Sequence, residues 1–387
     1  MNTKNIGLYI HIPFCKKKCE YCDFKSYPGK EELIGEYIKC LKYELKEVGE
    51  GNRLDYENNL DKLAIVNTIY IGGGTPSLID SKYICEILEI IKEYYTLTDN
   101  VEITIEVNPG TVSEEKLEKY KKSGINRLSV GLQSTHDRLL KKIGRIHSYD
   151  DFLNTFKLAR KVGFTNINVD LMLGLPEQTL EDLKQSVEEV INLSPEHISI
   201  YSLIVEEATP FYSKLQENKL DLPDDEMERK MYWAVKKKLE NYGYIHYEIS
   251  NFAKKGFESR HNLACWNQEE YIGFGTSAHS YTNNVRYSNI DNIEEYINNF
   301  KNNKEADNFV FHEKQNIEGK MKEFMILGLR KIKGIHIKDF KNKFGANPIY
   351  IYRKELNKLS NEELIEIDGD NIKLTNKGLD LANLVWE

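Results

Sequence analysis

The chain has 387 residues, of which 40% are hydrophobic, 29% charged and 11% aromatic, with 24 Gly and 9 Pro. This composition fits a globular protein of two or three domains and excludes collagen-like, low-complexity and wholly disordered chains. A net charge of −8 disfavours a dedicated nucleic-acid binder, and no run approaches the roughly 18 apolar residues of a bilayer span.

The start, MNTKNIGLYIHIPFC, has no basic region leading into a long apolar core, so no signal peptide is expected. From residue 6 to about residue 204, short β-branched runs alternate with amphipathic stretches. Strands are predicted at 8–12, 68–71, 101–107, 128–131, 167–171 and 197–201. Helices are predicted at 31–48, 82–95, 113–123, 149–162 and 180–193. Ser113 and Thr179 sit where helices start, and Gly124 and Gly163 where they end. Strand and helix alternating six times imply an α/β fold with a parallel sheet. Six units fall short of a closed eight-fold barrel, so an open, partial (β/α)6 barrel is expected, with a doubly wound sheet as the alternative.

Beyond residue 201 the rhythm changes. Pro210 and Pro223 flank a short polar connection, and a helix is predicted at 224–242. An aromatic, His-bearing stretch fills 244–281, and 299–308 reads as a polar linker. From about residue 317 three helices and a hairpin turned at Asp368-Gly369 suggest a winged-helix-like module. The expected division is a barrel at 1–205, an α+β extension at 206–310 and the winged-helix-like domain at 311–387. That last domain has no strong basic stripe, so nucleic acid is not an expected partner.

The chemistry begins with cysteines. There are six, and three fall within eight positions: Cys15-Lys-Lys-Lys-Cys19-Glu-Tyr-Cys22, directly after the first strand. Three thiolates at this spacing can hold three irons of a cubane cluster. Position 24 is Phe, so no adjacent fourth thiol completes the shell. One iron is then open to a small ligand. A zinc site with His11 as fourth ligand is the alternative. A chain of this size needs no disulfide framework, and a reducing cytoplasm suits these thiols. Cys40 and Cys85 fall on apolar helix faces and read as core residues.

Gly72-Gly73-Gly74-Thr75-Pro76 follows the second strand, and such a loop lets the backbone approach a small ligand. In (β/α) barrels the chemistry sits at the C-terminal ends of the strands. Glu106 and Asn108-Pro109 end the third strand, Gln133 follows the fourth, and Asp170 lies near the end of the fifth. Each alone reads equally well as a rim hydrogen-bonder; five consecutive strand ends bearing Cys, Gly, Glu, Gln and Asp read as a site.

These motifs resemble the radical S-adenosylmethionine (SAM) superfamily. Tyr9-Ile-His11-Ile-Pro13-Phe14-Cys15, Gly72-Gly-Gly-Thr-Pro-Ser77, Gly131-Leu-Gln133-Ser and Asp170-Leu-Met-Leu-Gly174-Leu-Pro176 resemble the group of oxygen-independent coproporphyrinogen III oxidases and haem chaperones within it. The resemblance covers nearly the whole chain. It implies a [4Fe-4S] cluster on Cys15, Cys19 and Cys22, with SAM on the fourth iron. It implies SAM contacts from Tyr9, Gly73, Gly74, Thr75 and Glu106, and second-SAM contacts from Gln133, Arg145 and Asp170. Tyr21 and Asp23 of the cysteine loop join the cofactor contacts on the same ground.

Two departures from the oxidases, Phe24 at the usual fourth Cys and only 14 residues before Cys15, point to the chaperone branch. That branch carries a His-Asn-x-x-Tyr-Trp motif linked to haem. Here it is His261-Asn262-Leu263-Ala264-Cys265-Trp266, with Cys265 in place of Tyr. The resemblance thus implies haem, or another tetrapyrrole, against His261 and Trp266; without it, His261 reads as a satisfied interior or surface histidine. It also implies recipient apo-haemoproteins as partners and allows a homodimer. The expected function is a haem chaperone, with coproporphyrinogen III oxidation as the alternative.

Overall fold

The computed structural model describes residues 4–51 and 64–386. Its spine is β1 (Lys4–Ile12), β2 (Ala64–Gly73), β3 (Leu97–Val107), β4 (Arg127–Gln133), β5 (Ile167–Leu173) and β6 (His197–Ser202), each hydrogen-bonded in parallel to the next. The crossovers carry α1 (Ile34–Glu50), α2 (Ser81–Tyr94), α3 (Glu114–Lys122), α4 (Asp137–Lys142) with α5 (Tyr149–Val162), and α6 (Leu180–Asn192). Short α7 (Pro210–Gln216) and long α8 (Asp225–Asn241) follow β6. The six β/α units are therefore those of the predicted partial barrel.

Local signals set the helix ends. Ser113 and Thr179 accept hydrogen bonds from the backbone N–H of Lys116 and Asp182, and Thr179 forms a full capping box with Asp182. Asp224, predicted as the first helical residue, caps α8 instead.

Residues 245–314 extend the same sheet. β7 (Ile245–Glu248) and β8 (Asn251–Ala253) form a hairpin on β6. β9 (Tyr271–Phe274) pairs in parallel with β1, and β10 (His279–Thr282), β11 (Val285–Asn289) and β12 (Phe309–Lys314) follow antiparallel. The order is β12-β11-β10-β9-β1-β2-β3-β4-β5-β6-β8-β7. The parallel part thus has a seventh strand, β9, which no local signal predicted. The polar stretch read as a linker, 299–308, instead ends helix Ile293–Lys301 and forms a 3-10 turn, with Asn308 fully buried.

The strands divide their side chains by period two. Leu8, Ile10, Ile69, Ile71, Ile103, Ile105, Leu128, Val130, Val169 and Leu171 enter the main apolar core with the helices. The alternate positions are polar: Thr68, Tyr70, Thr104, Glu106, Ser129, Asn168, Asp170 and Ser199. Parallel strands covered on both faces read as unbroken apolar runs. The alternation here marks a barrel whose inside is a polar cavity.

One buried acid ties the extension to the barrel. Glu44 of α1, 2% exposed, accepts from Tyr296 Oη at 2.7 Å, Asn289 Nδ2 at 2.8 Å and the Gly275 N–H at 2.9 Å. Glu44→Ala leaves these donors without that acceptor, so we expect a loss of about 3 kcal/mol. Denaturant unfolding of the variant measures it.

The C-terminal domain has its own core, built on Phe324, Phe340, Leu356 and Ile372. Its sheet joins β13 (Ile335–His336), β15 (Asn371–Leu374) and β14 (Ile365–Asp368) in that order, with Ile317–Leu329 and Ile337–Phe344 as its main helices. The hairpin at Asp368-Gly369 is as predicted, while strand β13 is additional. Two short helices, Pro348–Ile351 and Arg353–Asn361, separated at Tyr352, also belong to this domain. The Arg286–Glu323 ion pair and the hydrogen bond from Trp233 Nε1 to Asp380 dock this domain on β11 and α8.

Candidate functional site

A cavity of about 450 Å³ opens at the C-terminal ends of the barrel strands. Its wall includes Cys15, Cys19 and Cys22, Tyr21 and Asp23 between or beside them, Gly73, Gly74 and Thr75 after β2, Glu106 of β3, Gln133 of β4, Arg145 and Asp170 of β5. Twelve of the fourteen residues singled out from sequence therefore share one cavity. The exceptions are Tyr9 and His261.

The cysteine loop brings three thiols to one wall of the cavity. All three thiols are free, and Cys15 Sγ lies 3.4 Å from Thr75 Oγ1. The backbone N–H of Cys22 closes a turn on the carbonyl of Cys19, and Arg145 points a guanidinium nitrogen at Cys19 Sγ, 3.8 Å away. Burial pushes the Cys15 thiol up and the Cys22 thiol up to about 11. Arg145 supplies positive charge beside sulfurs that must lose protons to bind iron.

Gly74 keeps the floor of this cradle open. A Cβ there would lie 2.8 Å from the Phe14 carbonyl oxygen and 3.0 Å from Cys15 Sγ. Among the described residues no three His, Cys, Asp or Glu side chains converge on a single metal ion. His11 is also committed elsewhere. Its Nε2 donates to the Lys25 carbonyl at 2.9 Å, which leaves Nδ1 to accept from Tyr9 Oη at 2.9 Å. The zinc alternative therefore lacks its fourth ligand, whereas the donor set suits an iron–sulfur cluster with one open position.

The glycine loop is held from behind. Gly73 has φ 115°, and its N–H donates to Glu106 Oε2 at 3.1 Å. Glu106 Oε1 accepts from Tyr70 Oη at 2.9 Å. Burial raises the Glu106 carboxyl to about 7, and nearby Asp170 adds to the rise. Thr75 Oγ1 accepts from Asn108 Nδ2 at 3.0 Å. Arg145 also donates to Asn108 Oδ1 at 3.0 Å and to the Gly131 carbonyl. Gln133 sits at a bulge in β4 with φ 73°, which turns this strand end onto the cavity. Asp170 is fixed by Asn168 Nδ2 at 2.7 Å and Ser129 Oγ at 3.3 Å, and burial raises its carboxyl.

Tyr9 stands behind this wall, its ring centroid 6.3 Å from that of Tyr70. Sequence reasoning missed Tyr70 and Ser129. The signal for Tyr70 and Ser129 was present, since both occupy the inward, polar phase of alternating strands.

His261 lies below the cavity. Helix α9 (Arg260–Trp266) closes the other mouth of the barrel, its first N–H groups donating to Glu102 Oε2 and Oε1 at 3.1 Å each. The imidazole is 8% exposed, shares a 2.9 Å hydrogen bond with Thr68 Oγ1 and stacks on Tyr70 with centroids 5.2 Å apart. In this conformation His261 is therefore a buried, hydrogen-bonded interior histidine. Trp266 is likewise covered, by the Arg330 guanidinium 4.4 Å from its ring centroid. Burial pushes the Cys265 thiol up to about 11. Cys40 is buried as predicted, while Cys85 is only partly so.

Burial holds His11, His147, His246 and His261 down to about 4 and His197 well below the ordinary value. Unfolding restores the ordinary value of about 6.5. Between these values the unfolded chain binds more protons, so stability is full above about pH 6.5 and falls as pH drops. Glu106, raised to about 7, opposes this, as do Asp170 and Glu248, whose carboxyls burial also raises, but the lowered histidines, which include His279, are more numerous. Denaturation midpoints should be lower at pH 5.5 than at pH 7.5, with net proton uptake on unfolding.

A partial barrel with a three-thiol loop after its first strand and a glycine loop after its second defines a radical SAM protein. Residues 9–190 match the family model described as the radical SAM superfamily, and residues 318–381 that of the HemN C-terminal domain. The chain is 38% identical over 382 residues to the heme chaperone HemW of Bacillus subtilis (strain 168), covering 98% of this chain and 97% of that protein. It is 37% identical over 387 residues to HemW of Lactococcus lactis subsp. lactis (strain IL1403), covering 100% and 98%. The structure of coproporphyrinogen III oxidase (HemN) from Escherichia coli aligns with TM-score 0.84 over 99% of this chain and 89% of that one, at 21% identity, a likeness of fold. The chain belongs to the HemW family of the radical SAM superfamily. No helix among the described residues is long and apolar enough to cross a membrane.

Proposed function

We propose that this protein is a haem chaperone of the radical SAM type, which binds a [4Fe-4S] cluster, SAM and haem and delivers haem to apo-haemoproteins. The observation that carries this reading is the full-length match to HemW in a chain whose cysteine loop runs Cys22-Asp23-Phe24. Cys15, Cys19 and Cys22 hold the cluster. When bound, it supplies an open iron for SAM and an electron for reducing the sulfonium.

The protein's own part is positioning. Gly73 and Gly74 bring backbone close to SAM, and Thr75 and Glu106 offer it an acceptor wall, steadied by Tyr70 and Asn108. Tyr9 braces this wall from behind. Arg145 balances thiolate charge, and with Gln133 and Asp170 lines the opposite side. Tyr21 and Asp23 close the loop side of the cavity. An iron contact from His261 requires α9 to leave the barrel floor. Reducing cytoplasm is the proposed location, because adjacent free thiols persist there.

Titration of the anaerobically reconstituted protein with haem tests the reading: binding at micromolar haem is expected, and its absence overturns it. The retained trio Gln133, Arg145 and Asp170 favours the second reading, radical oxidative decarboxylation of coproporphyrinogen III propionates to vinyl groups. Reduced, SAM-loaded protein that yields no vinyl product removes that reading.

A further inference from the structure

A line of buried polar side chains stands behind Asp170, and the cavity wall does not explain it. Asn168 of β5, His197 and Ser199 of β6 and Tyr247 of β7 are each at most 8% exposed. Asn168 Nδ2 donates to Asp170 Oδ1 at 2.7 Å and to Ser129 Oγ at 2.8 Å. Asn168 Oδ1 accepts from His197 Nδ1, 2.6 Å away, and from Ser199 Oγ at 3.1 Å. His197 Nε2 lies 2.7 Å from Tyr247 Oη. Tyr247 Oη also accepts, at 3.2 Å, from the backbone N–H of Ser259, the N-cap of α9. The line thus runs from the closed mouth of the barrel to the cavity.

Chemistry fixes the direction of every link. A flipped Asn168 amide would set its oxygen against the Asp170 carboxyl. Oδ1 therefore faces His197 and needs a hydrogen there, which puts the imidazole proton on Nδ1. Burial first, and the charge of Arg127 second, keep His197 well below the ordinary value, so the ring is neutral. Its Nε2 is then an acceptor, and Tyr247 donates to it, which fixes the tautomer. Every donor in the line points toward Asp170. Apolar side chains could fill the same space without needing partners, whereas each polar group here must be matched by the next. Resting on the reading that Asp170 faces SAM, we propose that His197 is a positioning residue: from behind the cavity it fixes the Asn168 amide, and through it holds Asp170 in place toward SAM, with Tyr247 setting its tautomer.

The test is SAM affinity of the cluster-loaded protein by equilibrium dialysis, with iron and sulfide content and the denaturation midpoint measured on each variant. His197→Phe keeps the ring volume and removes the donor. His197→Asn leaves a void but offers Nδ2 near the place of the lost Nδ1. SAM affinity should fall about tenfold or more in His197→Phe and stay within about threefold in His197→Asn. A space-filling role predicts the opposite order, with the smaller Asn the worse. Tyr247→Phe leaves the tautomer unfixed, and a fall of about threefold is expected. Asp170→Asn is the reference, with an expected loss of about tenfold.

Wild-type affinity in His197→Phe overturns the proposal, and so does a larger loss in His197→Asn than in His197→Phe. If His197→Phe fails to fold or to hold its cluster, Tyr247→Phe decides, and wild-type affinity there overturns the proposal. A loss in Asp170→Asn beside wild-type affinity in the His197 and Tyr247 variants overturns the positioning role alone. Wild-type affinity in Asp170→Asn instead removes Asp170 from the SAM site, and the proposal falls with that reading.

Discussion

Cys22→Ala is expected to abolish cluster assembly. The loop supplies three thiols, and Phe24 stands where a fourth would be adjacent. The remaining cysteines are too far into the fold to substitute. Cys40 is buried on α1, Cys85 lies on α2, and Cys265 closes α9 at the opposite mouth. His11 has both ring nitrogens engaged. With two thiols left, half of a cubane lacks protein ligands, and iron and sulfide per chain after anaerobic reconstitution should fall about tenfold or more. The fold should survive, because Cys22 belongs to the cavity wall and to none of the three apolar cores. Retention of a full cluster by this variant would place its ligands elsewhere.

The second large effect is expected at Gly73. Its φ of 115° lies where L side chains rarely sit, and a Cβ would come within 2.6 Å of the His11 ring. That ring is pinned by the Lys25 carbonyl and by Tyr9 Oη, so it cannot give way cheaply. In Gly73→Ala the loop must shift, and the N–H bond to Glu106 is lost with it. A strain of about 2–3 kcal/mol is expected, and SAM affinity should drop about a hundredfold. Gly51→Ala is the control: φ is also positive, at 80°, but among the described residues nothing lies within 4 Å of the added carbon. That variant should lose a little stability and no SAM affinity. Equilibrium dialysis with SAM distinguishes the two, and wild-type affinity in Gly73→Ala would remove the glycine loop from the SAM site.

The barrel and its upper rim were legible in the sequence because their signals are local. Strands begin and end within a few residues of the predicted positions, since β-branched runs and caps such as Ser113, Thr179 and Gly163 act over single turns. The rim residues were legible because parallel strands align their C-terminal ends. Long-range contacts were not. Strand β9 pairs with β1 across more than 260 residues, so the seventh parallel strand carries no local mark. The burial of His261 was not legible because it depends on Thr68, Tyr70 and Glu102 from β2 and β3, far away in the chain. Tyr70 was overlooked although it joins the glycine loop to α9, stacking on His261 and donating to Glu106. A period-two reading of 68–70 and 102–106 would have exposed the polar barrel interior.

The bond from Tyr70 to Glu106 and its stack on His261 link α9 to the cavity wall. The glycine loop and α9 therefore share one side chain, and displacement of either bears on the other. That arrangement fits a protein in which the SAM machinery supports haem handling.

Haem transfer decides the matter. Cluster-loaded, SAM-bound protein is charged with haem, separated from excess, and mixed anaerobically with apomyoglobin, while a parallel sample is reduced and given coproporphyrinogen III. The chaperone account predicts haem appearing in myoglobin at a rate above that of free haem controls or at least with stoichiometric delivery, and no vinyl product. Vinyl product without haem transfer would contradict it and make the chain an oxidase.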